Sequence, residues 1–461
     1  MLKLRREASK GAVLLRPIIE GALHASGFSG QRGEVLELSP QERWIGADHA
    51  ATAPEWEAVG AACIAAAGAS PRVALDARGL SPHFAIALGM GAVLRAWRFE
   101  VLKSKRSPGP RRLELLVDDP LALGAAWARA GAQLAGVLLA RELVAEPANR
   151  LTPREFARRL RGLEREGIEV EEFGRAALRK LGAGGILAVG SGSAVPPRIV
   201  ILRWKGDFRA PPVAFVGKGL CFDTGGISIK GAAGMEAMRA DMAGAAACAG
   251  AMLALARRNS PCPAVAILAI AENMTSGSAY RPGDVLRMMS GRTVEVVDTD
   301  AEGRLVLADA LHLAATRFRP QAVLDLATLT GSVITALGHH RAGLFHNDAA
   351  LGAATAAAGE AVGERLWHLP IGERHREELN SDIADLKQCV PGGTRFVSDA
   401  SNAAAFLREF VGTLPWAHLD IAGMDTAETD DALATKGTPT GFGVRLLDAL
   451  VERHFEDPHR V

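Results

Sequence analysis

Two stretches concentrate the side chains able to do chemistry. Val216-Gly-Lys-Gly-Leu-Cys-Phe-Asp-Thr-Gly-Gly-Ile-Ser-Ile-Lys230 places Lys218, Asp223 and Lys230 among glycines, and Asp241 follows shortly after. Val297-Asp-Thr-Asp-Ala-Glu-Gly-Arg-Leu305 places Asp298, Asp300, Glu302 and Arg304 at alternate positions. Taken singly, each has a plain explanation: acidic residues suit a helix start, and D-T-G-G is a turn signal. Taken together, Asp223, Asp241, Asp300 and Glu302 would repel one another if they converged. Hard divalent cations take oxygen ligands, and two-metal centres hold ions roughly 3.5–4 Å apart across shared carboxylates. Two such ions would balance the four negative charges.

Other chemistries lack their residues. Neither cluster contains a histidine, and no H-E-x-x-H occurs, which disfavours a histidine-ligated zinc site. There is no G-x-S-x-G, and Gly217-Lys218 is followed by Gly219 rather than Ser or Thr, so a phosphate-cradling loop is rejected. Cys221 has no histidine near it in sequence and reads as a packed thiol.

The elements that must position these groups read as α/β throughout. In the first part, 72–77 and 111–119 read as strands around a helix at 82–97, and an Ala-rich helix runs from about 120 to 143. Thr152-Pro153 is a helix start, Thr as N-cap and Pro at the first position. Further on, 199–204, 212–217, 264–271, 293–297 and 322–327 read as strands, with helices at 235–257, 302–316 and 352–362. On this reading one strand ends at Val216 and opens into a glycine-rich turn, and Asp241 lies inside the next helix. A second strand ends near Val297. Both clusters then sit at carboxyl ends of strands, where open α/β sheets bind ligands. Residues 425–439 read as an exposed polar loop. The expected architecture is two α/β domains, 1–145 and 146–461, the second with a mainly parallel central sheet flanked by helices.

Composition agrees with a large folded chain: 461 residues, 48% hydrophobic and 23% charged. A formal net charge of +1 gives no general electrostatic reason to bind nucleic acid or acidic membranes. The five cysteines are scattered with no C-x-x-C, which fits a reducing compartment. No apolar run is long enough for a transmembrane helix or a secretory leader, so the expectation is a soluble cytoplasmic protein.

The motifs resemble the leucyl aminopeptidase (cytosol aminopeptidase) family, peptidase family M17. Val297-Asp-Thr-Asp-Ala-Glu-Gly-Arg-Leu305 is similar to the family signature N-T-D-A-E-G-R-L, and the Val216–Lys230 segment is similar to its metal-binding loop. Further matches, in family order, are 272–284, 327–331, 416–423 and 440–447. The resemblance implies a two-metal exopeptidase acting on peptides with a free N-terminus, preferring Leu or other apolar first residues. It implies one Mn²⁺ or Zn²⁺ held by Lys218, Asp223, Asp241 and Glu302, and another by Asp223, Asp300 and Glu302. It makes Lys230 and Arg304 the catalytic pair, with Arg304 holding a bicarbonate base, and gives the substrate pocket to Met238, Thr328, Leu329 and Gly331. It also implies a homohexamer. A ligating Lys218 must be the neutral amine, so a strongly depressed pKa is expected there. The plainer alternative for Arg304 is a salt bridge to Asp300 or Glu302. Asp298 stands where the family has Asn; it could tighten cation binding, raise a neighbour's pKa or favour basic substrates. Thr224 stands where the family has Ser and keeps the hydroxyl. Two other readings stay open: a DNA-binding or regulatory relative, and another two-metal amide hydrolase.

Overall fold

The computed structural model describes residues 2–19, 28–391, 397–430 and 432–456. They form two compact units. The first comprises 1–134, 361–363 and 427–438, and the second 135–360, 364–426 and 439–461, each over its described residues. The segment expected as a loop at 425–439 is divided between the units; residues 428–430, Lys436 and Gly437 are exposed as expected, while Ala427 and Ala434 are buried.

The first unit is built on β1 (Lys3–Arg5), β2 (Val13–Ile18), β3 (Val35–Ser39), β4 (Glu42–Gly46), β5 (Arg72–Asp76) and β6 (Arg112–Leu116). Their order is β1-β6-β5-β2-β4-β3, parallel except for the β3–β4 pair. The helices Ala53–Ala66 and Pro82–Ala96 belong to this unit and touch through glycine. A Cβ at Gly91 would enter the Glu57 carbonyl, so backbone meets backbone there.

The second unit adds β7 (Glu169–Phe173), β8 (Arg198–Trp204), β9 (Val213–Asp223), β10 (Ala264–Asn273), β11 (Val285–Arg287), β12 (Thr293–Glu295), β13 (Ala322–Ala327), β14 (Ala342–His346), β15 (Leu366–His368), β16 (Leu386–Lys387) and β17 (Trp416–Asp420). Eight of them form one sheet, β15-β14-β17-β13-β9-β10-β8-β7, and β11-β12-β16 form a small second one. The central run β17-β13-β9-β10 is parallel. Strands covered on both faces lose the alternating pattern and read as continuous apolar runs, as β9 and β13 do. The helix Ala243–Arg257 is buried along nearly its whole length, which suits its Ala- and Gly-rich sequence. It lies close to the sheet because Gly217 leaves room for Ala245 and Gly244 leaves room for the Leu326 carbonyl.

Four expectations differ from the structure. β9 does not end at Val216 but continues to Asp223, so Lys218 sits inside a strand. Glycine at 217 and 219 marks the close approach of helix and neighbouring strand, not a turn. The helix expected over 235–257 is two pieces, a 3₁₀ segment Met235–Ala240 and the α-helix from Ala243, and Asp241 occupies the break. Local propensity favours continuity, but Thr328 and Lys218 hold the Asp241 carboxylate and win. The strand expected over 293–297 is only Thr293–Glu295 and lies in the small sheet, so the second cluster does not crown a main-sheet strand. The helix Glu302–Leu313 also ends earlier than expected, passing into a π-turn over Ala314–Phe318. Thr152 does cap the helix Pro153–Arg161, accepting from the Glu155 N–H.

Candidate active site and metal centre

Asp223 closes β9, and Lys218 reaches from inside it. Lys218 Nζ lies 2.8 Å from Asp241 Oδ1 and 2.9 Å from Glu302 Oε1, and donates to the Thr328 carbonyl at 2.9 Å. Lys230 Nζ lies 2.8 Å from Asp223 Oδ2 and pairs with Asp300 Oδ1. Each ammonium thus bridges two carboxylates. Asp223, Asp300 and Glu302 each present an oxygen within 4.8 Å of the other two. The separate stretches converge because Glu302 opens the helix Glu302–Leu313, so its carboxylate projects from the first turn.

Glycines make the convergence sterically feasible. Gly225 and Gly226 follow Asp223 at φ of 85° and 68°, left-handed values that glycine takes without strain. A Cβ at Gly303 would stand 2.8 Å from Lys218 Nζ and 2.9 Å from Leu329 Cδ1. Gly303→Ala is therefore expected to push Lys218 off its partners and weaken Mn²⁺ binding about 10–100-fold, the usual cost of disturbing ligand support. Calorimetric titration would read this; unchanged affinity with unchanged kcat/KM would refute the packing argument.

A second layer holds the carboxylates. Asn273 Nδ2 donates to Asp223 Oδ1 at 2.8 Å and to the Thr299 carbonyl at 2.9 Å. Thr224 uses its hydroxyl twice, donating to the Asn273 carbonyl and accepting from the Gly226 N–H. Asp298 Oδ1 accepts the Asp300 N–H at 2.9 Å. That is a turn contact, one an asparagine oxygen could make equally well.

The charges are crowded. Burial raises the carboxyls of Asp241, Asp300 and Glu302 above the ordinary acidic range, and Asp223 adds to this in each. Burial works against the Lys218 charge, but Asp241, Glu302 and Asp223 outweigh it and raise the group above an ordinary lysine. The depression expected at Lys218 is thus not produced by the protein alone; it requires a bound cation, which reverses the local field. Two buried oxygens, Asp241 Oδ2 and Glu302 Oε2, have no hydrogen-bond partner. Buried carboxylate oxygens left this way are costly, and a divalent cation satisfies such atoms directly. The donor set fits hard or borderline divalent ions.

A cavity of about 250 Å³ gathers the group. Lys218, Asp223, Lys230, Met238, Asp241, Asp300, Glu302, Thr328, Leu329 and Gly331 all line it. Arg304 does not. Its guanidinium is buried, donating to Asp399 Oδ1 at 2.8 Å and to the Gln388 carbonyl at 3.1 Å, while Nε has no partner. The alternative salt bridge to Asp300 or Glu302 is therefore corrected to Asp399. The partners lie 95 and 84 positions away in sequence, and no local pattern points to them.

The model of the cytosol aminopeptidase family catalytic domain matches residues 138–448. The chain belongs to the cytosol aminopeptidase family. A probable cytosol aminopeptidase of Chelativorans sp. (strain BNC1) is 45% identical over 451 residues, covering 94% of this chain and 90% of that protein. Another, of Methylorubrum populi, is 47% identical over 397 residues, 84% of this chain and 79% of that one. Among solved structures, the bottromycin maturation enzyme BotP in complex with Mn shares 36% identity with a TM-score of 0.87, covering 97% of this chain and all of that one. The cytosol aminopeptidase fold expected from the motifs is thus present, and the chain is a metal-dependent exopeptidase of the leucyl aminopeptidase type.

Sequence reasoning missed Asn273, Asp399 and Asp425 as parts of this cytosol aminopeptidase site. Asn273 stood in a matched motif, but nothing local says that it faces Asp223. Asp425 was assigned to an exposed loop, yet it lines the cavity.

Proposed function

We propose that this aminopeptidase removes the N-terminal residue, Leu or another apolar one, from peptides at a two-metal centre formed by the clustered carboxylates. The pair of unpartnered oxygens on Asp241 and Glu302, beside the Asp223–Asp300–Glu302 trio, carries the reading. Lys218, Asp223, Asp241 and Glu302 would hold one Mn²⁺ or Zn²⁺, and Asp223, Asp300 and Glu302 the other. When bound, such cations polarise a peptide carbonyl and generate hydroxide from water near neutral pH.

The side chains have separate tasks. The Lys230 side chain is 24% exposed against 3% for Lys218, so Lys230 can meet substrate while Lys218 stays enclosed. Burial opposes its charge, but Asp223, Glu302 and Asp300 raise its pKa, so it remains an ammonium. It donates to the carbonyl oxygen as negative charge gathers there. The acidic cluster holds the substrate's α-amine, which restricts cleavage to the first residue. Met238 and Leu329 offer apolar wall to that residue's side chain. The bicarbonate base would be held by Arg304 only if its guanidinium turned from Asp399 and the Gln388 carbonyl toward the cavity, which it does not line.

Stripping the protein with a chelator should abolish release of leucine from Leu-Gly-Gly, and Mn²⁺ or Zn²⁺ should restore it. Full activity after stripping would end the two-metal reading. Acetylation of the substrate's amine should block cleavage; continued hydrolysis would favour another two-metal amide hydrolase. Family membership also supports a cytoplasmic homohexamer, tested by sedimentation against six times 48.4 kDa. No helix among the described residues is long and apolar enough to cross a membrane.

A further inference from the structure

Beside the charged cluster and the threonines Thr328 and Thr330, the cavity has an apolar wall that carries one further carboxylate. Met238, Leu329, Ile334 and Ala422 form it, and Asp425 stands among them. The carboxylates of the metal cluster each have a lysine within reach: Asp241 and Glu302 share Lys218, and Asp223 and Asp300 share Lys230. Asp425 differs. Its carboxylate accepts the Thr426 hydroxyl at 2.9 Å and the Gly423 N–H. Among the described residues no lysine or arginine forms an ion pair with it. The basic side chain facing it is His339, whose Nδ1 lies 2.9 Å from the Gly423 carbonyl. Burial raises the carboxyl above the ordinary aspartate range, the mark of an anion short of compensation.

We propose that Asp425 is a specificity-determining residue that extends the substrates of this aminopeptidase to peptides beginning with lysine or arginine. The inference rests on the proposed two-metal exopeptidase reading. A lysine or arginine side chain has two parts, and the cavity offers a place for each. The aliphatic stem packs on Met238, Leu329 and Ile334. The cationic head reaches Asp425 and makes a charge-assisted hydrogen bond, roughly twice as strong as a neutral one. A leucine side chain uses only the apolar wall and leaves the carboxylate as it was. Asp298, the acidic departure from the family signature, is occupied with the Asp300 N–H and does not line the cavity.

The test compares kcat/KM for Lys-Gly-Gly, Arg-Gly-Gly and Leu-Gly-Gly with Mn²⁺-loaded enzyme, for the parent and for Asp425→Asn and Asp425→Glu. The parent should cleave the lysyl and arginyl peptides with kcat/KM within tenfold of the leucyl one. Asp425→Asn, nearly isosteric, should lower the Lys:Leu and Arg:Leu ratios at least tenfold. Asp425→Glu, which keeps the charge, should restore most of the ratio. The ratio is independent of how much of each variant folds. If Asp425→Asn leaves both ratios within threefold, Asp425 only braces the Gly423 turn and the inference is overturned. If it lowers all three substrates equally, Asp425 serves their common amine and the inference is again overturned. Release of leucine with no release of lysine or arginine by the parent overturns this inference alone. Release from no peptide overturns it together with the reading it rests on.

Discussion

Replacing Glu302 by glutamine is expected to lower kcat/KM for a leucyl peptide by at least about a thousandfold while leaving the fold intact. The size follows from what the carboxylate does in the proposed centre. There it would help to hold both cations, and metal-derived charge stabilisation contributes several kcal/mol, each 1.36 kcal/mol being tenfold in rate. The stability half of the expectation follows from crowding. Glu302 is 1% exposed, its carboxyl is raised by burial and by Asp223 and Asp241, and one of its oxygens has no partner. Glutamine keeps the shape and an acceptor for Lys218, and removes one of four mutually repelling charges. In chelator, the melting temperature of the variant should therefore be no lower than that of the parent. Added Mn²⁺ should raise the parent's melting temperature, because a ligand that binds only the folded state stabilises it. The variant should gain far less. A variant that retains activity within tenfold, or that loses its fold in chelator, refutes the assignment of Glu302 as a metal ligand.

The second large effect is at Lys230. Lys230→Ala should lower kcat about 10²–10³-fold, the usual loss when a donor to a developing oxyanion is removed. Metal affinity supplies the distinguishing readout. Lys230 pairs with Asp223 and Asp300, so its removal leaves the carboxylates with less competing positive charge. Mn²⁺ should bind the variant at least as tightly as the parent, even as turnover falls. If Mn²⁺ affinity and kcat fall together, Lys230 merely braces the carboxylates. If kcat stays within threefold, it has no part in the chemistry.

Much of the fold was readable from local signals. Thr152-Pro153 announces a helix because the cap is decided by neighbouring residues. The run Ala322–Ala327 reads as a strand because an apolar segment bounded by turn residues has few other fates. The misread elements are those in which a distant contact overrides a neighbourhood. Gly217 and Gly219 look like a turn until the helix Ala243–Arg257 is seen packed on them. The residues before Ala243 look helical until Asp241 is needed at Lys218.

The same division runs through the site. Side-chain types, their order and the spacing of Asp300, Glu302 and Arg304 along the chain were enough to point to a metal-dependent site and to the family, since donor chemistry is a property of the residues themselves. Which atom faces which was decided only by the tertiary structure. Lys230 meets Asp300 across 70 positions and Thr328 meets Asp241 across 87. Such pairings depend on which strands lie side by side in the sheet, and adjacency between strands far apart in the chain leaves no trace in a short window of sequence. Arg304 turning to Asp399, and Asp425 turning from a supposed surface loop into the cavity wall, belong to that second kind.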